Sequence, residues 1–158
     1  MKRIAIVFFL LFGTNAHAQP IKEATYFCLE EISGGIAYDA SSKKWIGREF
    51  ATSGKFTLRL KFEKTRTKKI ISGNEKVVHD YDVLITPSNT REAARCFIEA
   101  NSTTPFEGTD FRCHTFQANY SFNLENNRFL LAYLVGYVSG KDDQKTPHIA
   151  AGTCTKIN

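Results

Sequence analysis

The sequence contains few of the features on which catalytic and metal sites depend. It has no C-x-x-C pair, no G-x-S-x-G elbow and no D-x-D-x-D-G loop. These absences argue against a thioredoxin-like site, a hydrolase nucleophile elbow and an EF-hand type of calcium loop. His79, His114 and His148 have no nucleophile and acid at a spacing that would suggest a triad. We therefore expect no catalytic residue, no metal ligand and no cofactor, and a protein that is not an enzyme.

Long apolar runs are equally scarce, and the longest stands near the N-terminus. Ile4–Phe12 is an uninterrupted apolar run of nine residues, less than half of the about 20 that a transmembrane helix needs. A basic pair precedes it, and Ala16 and Ala18 supply the small residues of a cleavage site. We expect residues 1–18 to be a cleaved signal peptide. Residues 19–158 should then form a single domain, periplasmic or secreted, without a membrane span.

The charge balance is mildly basic and does not indicate a nucleic-acid partner. Loss of Lys2 and Arg3 with the signal peptide lowers the formal net charge from +5 to +3. Basic residues are concentrated in Lys55–Lys69, which reads KFTLRLKFEKTRTKK. This stretch could face an anionic envelope polymer or a lipid head group, or it could be the solvated face and tip of a strand. The second interpretation is favoured, because charge runs are usually solvated.

Helix signals are weak, and a period of two dominates the chain. In Lys55–Phe62 apolar side chains alternate with mostly cationic ones without a break, which is typical of a half-buried antiparallel strand. The same pattern predicts further strands in Thr25–Ile32, Ile36–Tyr38, Trp45–Phe50, Asp80–Ile85, Phe116–Phe122, Phe129–Tyr137 and Ile149–Lys156. Both faces of Phe129–Tyr137 begin with apolar residues, so this strand is expected to be central or buried on both sides. Asn89–Arg95 is the one short helix candidate.

Seven to nine strands joined by short turns indicate an all-β, single-domain antiparallel meander. The edges of such a sheet must be protected, and closure into an up-and-down β-barrel of the lipocalin or calycin type is the simplest solution. A two-sheet sandwich is the alternative. The 13 phenylalanines and six tyrosines suit a core of large side chains. Phe122, Phe129, Tyr133 and Tyr137 could contact a ligand, but core packing is favoured for them.

Four cysteines remain after cleavage of the signal peptide, and they allow three disulfide connectivities. We favour Cys96–Cys113, which flank one loop, together with Cys28–Cys154, which lie in the predicted first and last strands. The loop-entropy model gives about 3 kcal/mol for the short link and about 5 kcal/mol for the long one. Structural disulfides are typical of proteins outside the cytoplasm.

The chain resembles a set of small exported bacterial proteins of unknown function. The residues that carry the resemblance are Tyr26-Phe27-Cys28, Gly35-x-Ala37-Tyr38-Asp39, Lys44-Trp45, Phe122-Asn123, Arg128-Phe129, Tyr133, Gly136-Tyr137, Gly140, Thr146-Pro147 and Gly152-Thr153-Cys154. A looser resemblance is to periplasmic inhibitors of c-type lysozymes, through Tyr26-x-Cys28, Ser33-Gly34, Tyr38 and Trp45-x-Gly47. Those inhibitors are small disulfide-linked β-barrels with a Ser-Gly…Tyr loop that enters the lysozyme cleft.

These observations favour a binding protein. We expect non-catalytic binding of a small ligand or an envelope component, with inhibition of a hydrolase such as lysozyme as the alternative. The partner would be an unknown small ligand or an extracytoplasmic protein, and the chain is expected to be a monomer.

Overall fold

The computed structural model describes residues 21–69, 72–98, 104–106, 108–139 and 146–158. The predicted signal peptide, residues 1–18, lies outside these ranges. The described residues form ten strands and one short 3-10 helix, Tyr137–Ser139. The strands are β1 (Glu23–Asp39), β2 (Lys44–Glu49), β3 (Lys55–Lys69), β4 (Glu75–Pro87), β5 (Ala94–Cys96), β6 (Thr104–Phe106), β7 (Asp110–His114), β8 (Ala118–Asn123), β9 (Arg128–Tyr133) and β10 (His148–Lys156). The all-β prediction is confirmed. No helix in the described ranges is long and apolar enough to cross a bilayer.

The strands form one antiparallel sheet in the order β5-β4-β3-β1-β10-β9-β8-β7, with β2 added to β1 and β6 added to β4. Strand β1 is the centre of this arrangement. Its first part pairs with β3, from Glu23–Lys61 to Leu29–Lys55, while its middle pairs with β10. Its last part pairs with β2, from Gly34–Glu49 to Asp39–Lys44. The predicted strands Thr25–Ile32 and Ile36–Tyr38 are therefore one long strand.

The core lies on one face of the sheet and is packed with aromatic rings. Phe56 makes edge contacts with Tyr120, Phe122 and Phe129, with ring centroids 5.8, 6.2 and 4.9 Å away. Phe111 stacks on Phe106 at 4.0 Å and on Phe122 at 4.8 Å. Aromatic pairs of this kind add to the free energy gained from burying their large apolar surface. The preference for core packing is thus met at Phe122 and Phe129, which are both buried.

Two of the turns are stabilised by hydrogen bonds between their own side chains and nearby residues. At the end of β1, the Asp39 carboxylate accepts hydrogen bonds from the backbone and hydroxyl of Ser41, which lower the pKa of Asp39. Between β8 and β9, Asn123 Oδ1 accepts from the backbone N–H groups of Glu125 and Asn126, and Asn127 has φ 58°. Asparagine and aspartate favour such turns because their short polar side chains bond to nearby backbone.

Three local predictions are wrong. Asn89–Arg95 is not helical, because Thr90 closes a turn onto the Pro87 carbonyl and Ala94 and Arg95 join β5. Strand β9 stops at Tyr133, and its outer face is open to solvent, with Leu130 47% exposed. Its position between β10 and β8 is central, as expected, and one of its faces meets the core. Phe116 precedes β8 and is 95% exposed. The strand predicted over Phe116–Phe122 therefore begins too early, in the turn before β8.

Candidate functional site

The two ends of the sheet order, β5 and β7, are fastened to each other without forming a continuous ladder. Cys96 at the end of β5 forms a disulfide with Cys113 in β7. The next residues, Phe97 and His114, form an isolated antiparallel bridge, with N–H···O distances of 3.0 and 2.8 Å. We call this junction the seam. Among the described residues the ladder is not continuous here, so the structure shows an antiparallel sheet whose closure into a barrel is not established.

The second disulfide lies elsewhere. Cys28 in β1 and Cys154 in β10 are directly paired across the ladder and bonded to each other. The connectivity favoured from the sequence is thus the one present in the structure.

An open concavity of about 650 Å³ lies beside the seam, and we call it the seam cleft. Each of β7, β8 and β9 contributes three consecutive residues, and the remaining contributors come from β3, β6 and the residue that follows Phe97. The lining residues are Asp110, Phe111, Arg112, Ser121, Phe122, Asn123, Arg128, Phe129, Leu130, Lys68, Pro105 and Ile98. The charged residues Asp110 and Arg128 lie on either side of Asn123, because Asp110 pairs with Asn123 and Asn123 pairs with Arg128.

The described residues that line the cleft include three cations, Lys68, Arg112 and Arg128, and one carboxylate, Asp110. None of the three cations forms an ion pair with a described residue. All three are exposed. The electrostatic balance of the lining is therefore positive, and its cationic groups are free to bind an anion.

Three arginines elsewhere in the sheet are neutralised within the chain. Arg59 pairs with Glu23 at 2.6 Å, and Arg95 pairs with Asp82 at 2.8 Å. Arg66 Nε donates to the buried Asp80 carboxylate at 2.8 Å, and this hydrogen bond raises the pKa of Arg66. The predicted basic stretch Lys55–Lys69 is thus strand β3, and it does not act as one uniform cationic surface.

A smaller concavity of about 230 Å³, the seam pocket, also has walls from both ends of the sheet. Ile85, Pro87 and Ala94 come from the β4–β5 end. The other wall runs from the end of β7 through β8 and β9 to the start of β10, and consists of Thr115, Gln117, Ala118, Tyr120, Leu131, Tyr133 and His148. Burial, and to a smaller extent the nearby Glu30 carboxylate, raises the pKa of Tyr120 to about 12.

The histidines do not converge on a shared site. His79 Nδ1 hydrogen-bonds Thr65 Oγ1 at 2.9 Å, whereas its neighbour Asp80 binds Arg66, so the two adjacent residues face different partners. The His114 ring packs on Phe97 at 4.6 Å in the seam. In the described part of the chain, no three His, Cys, Asp or Glu side chains are grouped so that they could hold a metal ion.

The remaining residues singled out from the sequence are dispersed. Tyr133 lines the seam pocket, while Tyr137 is exposed and contacts Trp45 with ring centroids 5.3 Å apart. Ser33 and Gly34, which carry the looser resemblance, lie inside β1, and Ser33 is 5% exposed.

Sequence reasoning missed the seam cleft. Arg112 and Arg128 stand at outward positions of their strands, which alternation alone could have shown, but their convergence with Lys68 depends on long-range packing.

No family model, curated protein or solved structure matches the chain.

Proposed function

We propose that this chain is an exported, non-catalytic binding protein that takes a phosphate- or carboxylate-bearing ligand in the seam cleft. The observation that carries the proposal is a set of three cations in a single concavity, Lys68, Arg112 and Arg128, that form no ion pair with any described residue. Two disulfides are compatible with an oxidising compartment outside the cytoplasm.

The chemistry of the lining fits such a ligand. A guanidinium group binds a carboxylate or a phosphate through two parallel hydrogen bonds, and lysine adds a point charge. The exposed side chains of Ile98 and Leu130 and the ring of Pro105 supply apolar contact beside these charges. A volume of about 650 Å³ falls within the common range for ligand sites, roughly 300–1,000 Å³. The cleft therefore suits an anionic group attached to a small uncharged body, such as a sugar or a glycerol unit.

The packing of the core favours a ligand site at the surface of the sheet over one in its interior. The aromatic rings that would line the interior of a barrel contact one another instead, as Phe106, Phe111 and Phe122 show. We propose that the seam completes a barrel-like closure of the sheet, with the disulfide and the Phe97–His114 bridge replacing a continuous ladder.

The proposal is tested by calorimetric titration of the oxidised mature protein with glycerol 3-phosphate and, separately, N-acetylmuramic acid. The two probes distinguish a phosphate from a carboxylate source. Arg112→Gln and Arg128→Gln should each weaken binding about tenfold, because each removes one charge-assisted hydrogen bond of about 1.5 kcal/mol. Added salt should weaken binding further.

Arg59→Gln is the matched control, since Arg59 lies on the same sheet but is paired with Glu23 outside the cleft. Its affinity for either probe should equal that of the wild type. Absence of binding by both probes at millimolar concentration and low salt, or equal weakening by all three variants, would contradict the proposal.

Inhibition of a hydrolase is a second candidate, which one observation favours. Trp45 packs between Tyr38 and Tyr137, and the adjoining Val138 is 88% exposed. Exposed aromatic groups are enriched in protein interfaces. If this surface binds lysozyme, the protein should protect cell walls from lysis, and Tyr137→Ala should remove the protection. Undiminished lysis at micromolar protein would exclude this role.

A further inference from the structure

We infer that the seam pocket is a second binding site, for a neutral, mostly apolar molecule of single-ring size that carries one hydroxyl group. This site is separate from the proposed anion site, since the two linings share no residue. The described residues of its lining include no lysine, arginine, aspartate or glutamate. A charged ligand would therefore lose its hydration here without gaining an ionic partner, which is costly.

The walls and the volume define the size and the character of the ligand. Ile85, Pro87, Ala94, Ala118 and Leu131 provide apolar surface on both sides of the pocket. About 230 Å³ lies below the roughly 300 Å³ at which common ligand sites begin. A single substituted ring is the appropriate size.

Tyr120 provides a hydrogen-bond donor in this apolar setting. Its side chain is 9% exposed and its ring is fixed against Phe56, with centroids 5.8 Å apart. The hydroxyl forms no hydrogen bond with another described residue. The hydroxyl is not sealed from solvent, because Asp80 Oδ1 is the only buried side-chain polar atom without a partner among the described residues. A ligand oxygen that accepts from this hydroxyl would therefore take the place of water.

His148 provides the complementary acceptor. Its Nδ1 lies 3.0 Å from the Thr146 carbonyl oxygen, which can only accept, so Nδ1 carries a proton. In the neutral ring Nε2 is then the acceptor. Stacking on Tyr133 at 5.3 Å and an edge contact with Phe50 at 6.2 Å hold the ring in place. A hydroxyl group, which both accepts and donates, matches the pair Tyr120 and His148.

The direct test uses 4-ethylphenol and its matched analogue ethylbenzene, which differ only in the hydroxyl group. Binding is followed by calorimetry and by chemical-shift changes at Ala118 and Leu131. We expect the wild type to bind 4-ethylphenol at least tenfold more tightly than ethylbenzene. Tyr120→Phe, which keeps the ring, should remove most of this difference and leave ethylbenzene binding unchanged.

A second pair of variants tests the position of the site. Ala94 is exposed in β5 and lines the pocket, so Ala94→Leu should fill it and abolish binding of both probes without disturbing the core. Ala132→Leu, on the outer face of β9 and outside both concavities, should bind as the wild type does. Arg112→Gln should also leave 4-ethylphenol binding unchanged, which separates this site from the anion site.

Three results would overturn the inference: no binding of either probe by the folded wild type at millimolar concentration, equal binding of both probes, or no effect of Ala94→Leu. Shift changes confined to residues away from the pocket would also reject it.

Discussion

The two disulfides join strands in very different surroundings. Cys28–Cys154 crosslinks β1 and β10, which already pair from Tyr26–Lys156 to Gly35–His148. Cys96–Cys113 crosslinks the two ends of the sheet order, where one isolated bridge is the only adjoining backbone pairing among the described residues. The first bond reinforces a ladder that exists without it. The second bond holds together two strands that have little else to keep them adjacent.

The two disulfides are therefore expected to have different roles, one in the stability of the fold and the other in the geometry of the seam pocket. Chain entropy makes the long link more stabilising, because it spans 126 residues of sequence against 17 for the short one. The short link, however, joins β5, which supplies Ala94 to one wall of the seam pocket, to β7, which leads into Thr115 of the other wall. We therefore expect the first disulfide to determine whether the protein stays folded and the second to determine whether it binds.

The largest expected effect is on stability. Replacing Cys28 and Cys154 together by serine should lower the free energy of unfolding by about 5 kcal/mol, a large part of the roughly 5–15 kcal/mol of a native domain. Urea unfolding followed by circular dichroism measures this change. Molecules that remain folded should still bind 4-ethylphenol and the anionic probes with wild-type affinity.

Replacing Cys96 and Cys113 together by serine should cost less, about 3 kcal/mol. Unlike the first double variant, it should lose binding at the seam pocket even under conditions where it is fully folded. Wild-type affinity for 4-ethylphenol in this folded variant would show that the disulfide does not define the pocket, and it would also argue against barrel-like closure through the seam.

Alkaline pH should reduce the free energy of unfolding by an amount between those of the disulfide variants and of the hydrogen-bond variant below. The folded pKa of Tyr120 is raised to about 12, while an unfolded tyrosine titrates near 10. The folded chain thus keeps a proton that the unfolded chain loses, and stability should be full below about pH 10 and fall by roughly 2–3 kcal/mol toward pH 12. Burial raises the pKa values of Tyr26 and Tyr81 in the same direction.

Tyr120→Phe should reduce, without removing, this loss of folding stability at alkaline pH. In the variant lacking Cys96–Cys113, loss of the seam should expose Tyr120 and bring its pKa back toward 10, whereas Tyr26 should be unaffected. Spectrophotometric titration of the folded proteins distinguishes these cases. An unchanged Tyr120 titration in that variant would indicate that the seam does not control its burial.

The smallest effect concerns one hydrogen bond beside the second disulfide. Thr104 in β6 is fully buried, and its hydroxyl donates to the Cys96 carbonyl at 3.0 Å. Thr104→Val keeps the shape and should cost about 1 kcal/mol. Thr57→Val in β3, which is half-buried, should change the free energy of unfolding by less, as measured by urea unfolding. Equal losses would show that the hydrogen bond adds nothing at the seam.

Much of the fold could be predicted from the sequence because its signals are local. Alternation located strands such as Lys55–Phe62. The position of Cys28 and Cys154 in the first and last strands was sufficient to favour their bond. Each of these inferences depends on neighbouring residues or on simple topology.

The candidate site depends on contacts that the sequence does not display. Lys68 and Arg128 meet through the packing of distant strands, and no local pattern encodes that meeting. The end of β9 at Tyr133 was missed for a related reason, because alternation continues past it in Val135 and Tyr137 while strand pairing stops. The seam itself combines residues from two segments whose adjacency only the folded chain establishes.

The pairing of the first strand with the last has a kinetic consequence. One edge of β1 over Tyr26–Gly35 finds its partner only when β10 is in place, so a contact between segments more than 100 residues apart completes the middle of the sheet. Contacts of such long sequence separation slow folding. A chain that crosses a membrane from its N-terminus would therefore arrive with its central strand half paired, and the folded state would form only after the last segment followed.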